Sequence, residues 1–189
     1  MIWFISDSHF GHGNIIKYCN RPFMNKYEQN IVDNHKRGDK LYDDLRISQD
    51  TIDRHDDALI DNINRIVKPK DTLYHLGDFA LRNIGHYRHR IKCEEVHLIL
   101  GNHDYLKDRD EEGFYSVSDY KEIKYEGRFI VLSHYAMRVW NRSHRGSIML
   151  YGHSHGTLPG IKNSFDVGVD CHGYCPISIK NAIKIAGNN

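Results

Sequence analysis

Three things are scarce in this chain of 189 residues. Cysteine is one. The four present (Cys19, Cys93, Cys171, Cys175) are scattered, and the nearest two have a three-residue gap that fits no common zinc or redox spacing. Reduced thiols are the plain reading. Long apolar runs are the second: nothing approaches the roughly 20 residues that cross a bilayer, and the start "MIWFISDSH" lacks the basic lead-in of a signal peptide. A soluble, cytoplasmic protein with no membrane partner is expected. Net charge is the third, at +1, too small to give the global field with which a protein holds duplex DNA by releasing counterions. Repeats, low-complexity tracts and Pro/Gly-rich linkers are absent as well, so a single domain over 1–189 is expected, and 40% apolar residues suffice for its core.

Histidine, in contrast, is plentiful. Fourteen imidazoles are a large store of groups that move protons near neutral pH and bind metals.

The apolar pattern reads as strands alternating with helices. Short runs at 2–5, 72–76, 96–100, 128–132, 147–151, 165–169 and 177–179 predict buried strands. Leu59, Ile63, Ile66 and Val67 recur at helical steps, as do Ala80, Ile84, Tyr87 and Ile91, and each set makes one apolar stripe for a sheet. The stretch 24–57 differs: it is charged, with Ile31, Leu41, Leu45, Ile47 and Ile52 as sparse anchors, and reads as an insertion of loop and short helix that covers the site or packs beside it.

The residues just past the strands are more telling. Ser6, Asp7 and His9 come after the first, Gly77 and Asp78 after the second, and Gly101, Asn102, His103 and Asp104 after the third. Ser133 and His134 succeed the run at 128–132, and Gly152, His153 and His155 the run at 147–151. In an open α/β sheet these positions line the crevice at the carboxyl ends of the strands. A small residue there lets the chain turn, so the next side chain enters the crevice.

Singly, each fragment reads as a turn or a cap. Together they are harder to dismiss, since each polar group buried without a partner costs roughly 1–3 kcal/mol. Metal satisfies such a set best. Asp7, His9, Asp78, Asn102, His134, His153 and His155 are too many for one tetrahedral site and suit two divalent ions sharing a carboxylate. Imidazoles, carboxylates and an amide without thiolate fit Mn, Fe, Ni or Zn.

The ordered series "DSH", "GDF", "GNHD", "SHY" and "GHSH" resembles the calcineurin-like metallophosphoesterase superfamily, and "DSHFGHGNIIKYCNRPF" is similar to its small bacterial and phage branch of phosphoesterases. The resemblance implies a four-layer α/β/β/α sandwich with a dinuclear site. One ion would take Asp7, His9 and His155, the other Asn102, His134 and His153, with Asp78 bridging. It implies hydrolysis of phosphoester bonds, as a phosphodiesterase or phosphatase on a small phosphorylated or nucleotide-like substrate. Counting charge, two dications, two carboxylates and a bridging hydroxide leave a net positive pocket, and that hydroxide is the expected nucleophile. His103, one residue past a ligand, is the expected leaving-group acid, with Asp104 as its orienting partner, roles the resemblance supports.

Substrate contacts are read more loosely. His12 and Asn14 reach the phosphate, or else cap the helix that "NIIKYC" suggests. In "RVWNRSHRGS" (138–147) the basic residues form a solvated loop, or else an arginine such as Arg145 grips a second phosphate while Trp140 stacks on a base. A nuclease acting on RNA or DNA is the alternative function, and a non-catalytic binding scaffold the third.

Overall fold

The computed structural model describes residues 1–105 and 113–188. Two sheets form its centre. In the first, β1 (Ile2–Ile5), β2 (Thr72–His75), β3 (Glu95–Ile99) and β4 (Ser116–Ser118) run parallel in the order β4-β3-β2-β1, and β9 (Ile177–Ser178) adds antiparallel to β1. In the second, β5 (Tyr120–Tyr125) lies antiparallel to β6 (Arg128–Ser133), and β6, β7 (Ile148–Tyr151) and β8 (Ser164–Asp166) are parallel. A bridge between Ser6 and Gly168 ties the two sheets together just past the ends of β1 and β8.

Side chains alternate across each strand, and that period sorts the core into layers. Phe4, Leu76 and Ile99 face Ile130, Leu132, Ile148 and Leu150 between the sheets. Ile5, Leu73, Val96 and Leu98 point to the other face of the first sheet, where α4 (Gln49–Ile66) and α5 (Ile84–Arg90) cover them through Leu59, Ile60, Ile63 and Ile84. α6 (Ile179–Asn188) packs Ile179, Ala182 and Ala186 into the layer between the sheets. The outer face of the second sheet is covered by the crossover from β6 to β7, whose Trp140 packs on Val131, Met149 and Tyr151. The expected α/β sandwich of two sheets and flanking helices is thus present. Among the described residues no helix is long and apolar enough to cross a membrane.

Two expectations change. The run 165–169 is a strand only to Asp166, whose carboxylate accepts from the Gly168 N–H at 2.7 Å and turns the chain into a 3-10 turn at Val169–Cys171. The charged stretch 24–57 holds more helix than the expected loop and short helix. It holds α2 (Lys26–Asn34) and α3 (Lys40–Asp44), and its end falls inside α4, which runs unbroken into the sheet-packing stripe. Leu41 is exposed, and the anchors are Ile31, Tyr42 and Leu45. Charged groups do the rest: Lys17, on α1 (Gly13–Tyr18), donates to the Tyr42 and Leu45 carbonyls, and Glu28 accepts from Asn25 N, Ser48 N and the Thr51 hydroxyl. Buried charges are tolerated when so paired.

Candidate metal centre

The turns after β1, β2, β3, β6 and β7 meet at one end of the sandwich, as their parallel direction requires. Asp7 (φ 60°), His9 (φ 51°), Asp78 (φ 54°), His153 (φ 66°) and His155 (φ 46°) all sit in the left-handed region, where Asp, Asn and His are tolerated best among residues with a Cβ. Each such residue stores about 1–3 kcal/mol and persists only where its surroundings over-determine it. Here they do. Asp7 N donates to the Gly77 carbonyl at 3.0 Å, His9 N to the Asp78 carbonyl at 2.9 Å, and His153 N to both Asp7 carboxylate oxygens at 3.0 Å.

The small residues before the ligands serve closeness more than turning. Only Gly77 has a positive φ (95°) among the three strand-end glycines; a Cβ on Gly101 would strike the Asp78 carboxylate, and one on Gly152 the Ser6 hydroxyl and Asp7 Oδ2.

The side chains fall into two groups. Asp7, His9 and His155 bring their ligand atoms within 4.8 Å of one another, and so do Asp78, His134 and His153. Asp78 Oδ2 lies between the groups, 3.4 Å from His9 Nε2 and 3.5 Å from His134 Nε2. Asn102 Oδ1 is 3.2 Å from His134 Nε2. His134 Nδ1 donates to the Leu76 carbonyl at 2.8 Å and His155 Nδ1 to Asp170 Oδ2 at 2.7 Å, so in both rings Nε2 is left for the centre.

The residues fit a divalent cation. His9 Nε2 is buried with no hydrogen-bond partner, in a ring that burial holds down to about 2 and therefore neutral, with a lone pair to give. Burial pushes the Asp7 carboxyl up to about 7, against the pull of His155 and His134, so a carboxylate in this place calls for more positive charge. For Asp78 the burial is outweighed by the His134 hydrogen bond and charge and by the His103 backbone N–H, which hold it well below the usual range. His155 is raised to about 10: burial lowers it, but the Asp170 hydrogen bond and nearby Asp7 win, so an ion arriving there displaces a proton.

The remaining candidates separate. His103 is at the rim, its N–H donating to Asp78 Oδ1 at 2.8 Å and its ring edge-on to His9 at 5.4 Å between centroids. His12 lies beside both, its Nδ1 3.4 Å from His9 Nδ1, and burial together with the His103 charge lowers it to about 4. It precedes α1 but its side chain caps nothing. Asn14 lies in the first turn of α1 and has no hydrogen bond to the cluster among the described residues.

Asp104 departs from expectation. Its carboxylate does not orient the His103 ring: it accepts from Asp78 N (2.8 Å), Phe79 N (2.8 Å) and Gly101 N (2.9 Å), lacing two ligand turns together. Arg145 departs further. Parallel strands need a crossover that returns the chain to their starting end, so the second half of 138–147 arrives at the start of β7. Arg145 and Arg142 there line a shallow pocket with Arg128 and Phe129, at the amino ends of β6 and β7 and remote from the cluster. Trp140 is no stacking platform either, being buried with its indole N–H on the Ser147 carbonyl.

Sequence reasoning missed Arg21, His55, Asp56, Asp166 and Asp170. Asp166 Oδ2 accepts from the Ser154 hydroxyl (2.6 Å) and Gly156 N (3.1 Å), fixing the turn that carries His153 and His155. Cys19 joins His155 and Asp170 within 4.8 Å, behind the histidine ring.

Comparison with known proteins bears on family and fold. Residues 51–164 match the model of the calcineurin-like phosphoesterase superfamily domain, a span holding Asp78, Asn102, His134, His153 and His155. An uncharacterized protein of Methanocaldococcus jannaschii is 30% identical over 195 residues, covering 97% of this chain and 90% of that one. The crystal structure of a protein of unknown function from Aquifex aeolicus superposes with a TM-score of 0.69 at 26% identity, over 98% of both chains. Yfce, a phosphoesterase from E. coli, aligns at 16% identity and a TM-score of 0.45, over 88% of this chain and 77% of that one.

Proposed function

The chain belongs to the calcineurin-like phosphoesterase superfamily, and from that premise we propose that it is a cytoplasmic hydrolase of small phosphorylated or nucleotide-like compounds, working with two divalent ions. Asp7, His9 and His155 would hold one ion, Asn102, His134 and His153 the other, and Asp78 would serve both. The observation that carries this is Asp78 Oδ2, within 3.5 Å of a histidine nitrogen from each group, one of them buried and unpartnered. Mn, Fe, Ni and Zn suit the donors. When bound, such ions supply positive charge for the phosphoryl oxygens and an acidified water for an in-line attack.

The chain's own residues supply the rest. His103, at the rim and free of Asp104, gives a proton to the leaving oxygen. His12, neutral and half-buried beside it, offers a polar contact to the phosphoryl group or its ester. Four unpaired cysteines suit the reducing cytoplasm. Arg142 and Arg145, which could have gripped a nucleic-acid backbone, lie at the far end of the sandwich, and that supports a small substrate.

The test is a panel of phosphomonoesters, linear and cyclic diesters and dinucleoside polyphosphates, assayed after chelator stripping and reloading with Mn, Ni, Zn or Mg. Metal-restored hydrolysis of at least one class is expected. Protein that takes up ions yet leaves every substrate intact, bis-p-nitrophenyl phosphate included, would be a metal-bound scaffold instead.

A further inference from the structure

Arg21 is fully buried, well separated in sequence from every ligand, and lies under the first group of them. A guanidinium has five N–H donors and no acceptor. All five are used. Nε and Nη2 fork onto Asp170 Oδ1 (2.9 Å) and Oδ2 (2.8 Å); Nη2 also donates to the Asp7 carbonyl (2.8 Å); Nη1 donates to the Ser8 carbonyl (3.2 Å) and to His55 Nε2 (2.8 Å).

Because arginine cannot accept, His55 Nε2 must, which places the His55 proton on Nδ1, where it meets Asp56 Oδ1 at 2.7 Å. Asp56 Oδ2 in turn accepts from Gly11 N at 2.9 Å, in the turn between His9 and His12. At the other end Asp170 receives the His155 Nδ1 proton. One chain of hydrogen bonds therefore runs from α4 through a buried cation to a ligand histidine, and along the way it grips the carbonyls of the strained Asp7–His9 turn. Among the described residues the second group is braced differently: His134 leans on one backbone carbonyl, Asp104 ties the Asp78 and Gly101 turns through their backbone N–H groups, and His153 and Asn102 are exposed.

We propose that Arg21 is a positioning residue for the first group of ligands, and that the role of the charged 24–57 stretch is to brace it from below through His55 and Asp56. This rests on the metal-binding reading of the site. Arg21 touches no substrate. It fixes which nitrogen His155 presents and holds the turn from which Asp7 and His9 project.

Lysine cannot replace five divided donors with three, and asparagine at 170 cannot accept all three of the bonds Asp170 takes: with its oxygen where Oδ2 meets Arg21 Nη2 and His155 Nδ1, its amide nitrogen faces Arg21 Nε, donor against donor. The experiment is Mn titration of stripped protein by calorimetry, with His153→Ala used to isolate uptake by the first group. In that background Asp170→Asn and Arg21→Lys should each weaken Mn binding roughly 10–100-fold, as loss of a ligand's outer partner does. Glu28→Gln, which loosens the same stretch away from the relay, should lower the melting temperature and leave Mn affinity alone. Affinity unchanged in a folded Arg21→Lys or Asp170→Asn protein, or weakened equally by Glu28→Gln, overturns the proposal. Native protein that takes up no Mn overturns the metal reading itself, and the relay falls with it.

Discussion

The two groups of ligands are alike in chemistry and unlike in setting. Asp7 and His9 are sealed from solvent, and His155 is backed by a carboxylate and a buried arginine. In the other group Asp78 and His134 are equally deep, but Asn102 and His153 open to solvent, with Tyr135 edge-on to the His153 ring at 4.8 Å. Under the proposed reading such settings would divide the labour, the sealed group keeping an ion and the open one meeting a substrate.

Asp78→Ala should erase the contrast altogether. It removes the oxygen between the groups, so ion retention after gel filtration, read by elemental analysis, should fall for both, and hydrolysis should vanish. His103→Ala comes next. Turnover of an alkyl phosphoester should drop about 10²–10⁴-fold while ion content stays native, and an unchanged rate would remove His103 as the acid. Asp104→Ala strips two buried N–H groups and a part-buried one of their acceptor, and at about 1–3 kcal/mol for each buried group it should cost about 3 kcal/mol or more, seen as a lowered denaturant midpoint with unchanged slope. Chelation should cost slightly less: an ion present at 100 times its Kd stabilises by about 2.7 kcal/mol, or roughly 5–10 °C in Tm for a chain of this size. Arg145→Ala should do least. Its place at the opposite end of β6 and β7 predicts turnover within about twofold of native, in line with small effects at exposed positions away from a site.

The sheets were legible because buried parallel strands are short apolar runs, and β1 falls on its run to the residue. The turns after them were legible because polar residues at the ends of such runs have few other uses. Edge elements were harder. β5, whose YKEIKY breaks apolar alternation at Lys121–Glu122, pairs with β6 along its whole length, and the Glu126–Gly127 turn between them, both at positive φ, was the available hairpin signal. α6 carried Ile179, Ala182, Ile183 and Ala186 at helical spacing, visible but hidden by the short strand run before it.

The support under the ligands was not legible. Arg21 and Asp170 are 149 residues apart and nothing local marks either as half of a pair. Asp104 shows the opposite failure: its neighbour in sequence, His103, is the obvious partner, whereas turn geometry hands its oxygens to backbone amides of a different loop.

Five donors held at positive φ also restrict what substitution can reach. Beta-branched residues are shut out there by their own Cβ, and a thiol gains none of the easing that Asp, Asn and His enjoy. An engineer hoping to recast this pocket for softer ions by swapping in cysteines would meet added main-chain strain at each of those five, and Asn102 and His134, which lie outside the left-handed region, are the places to begin.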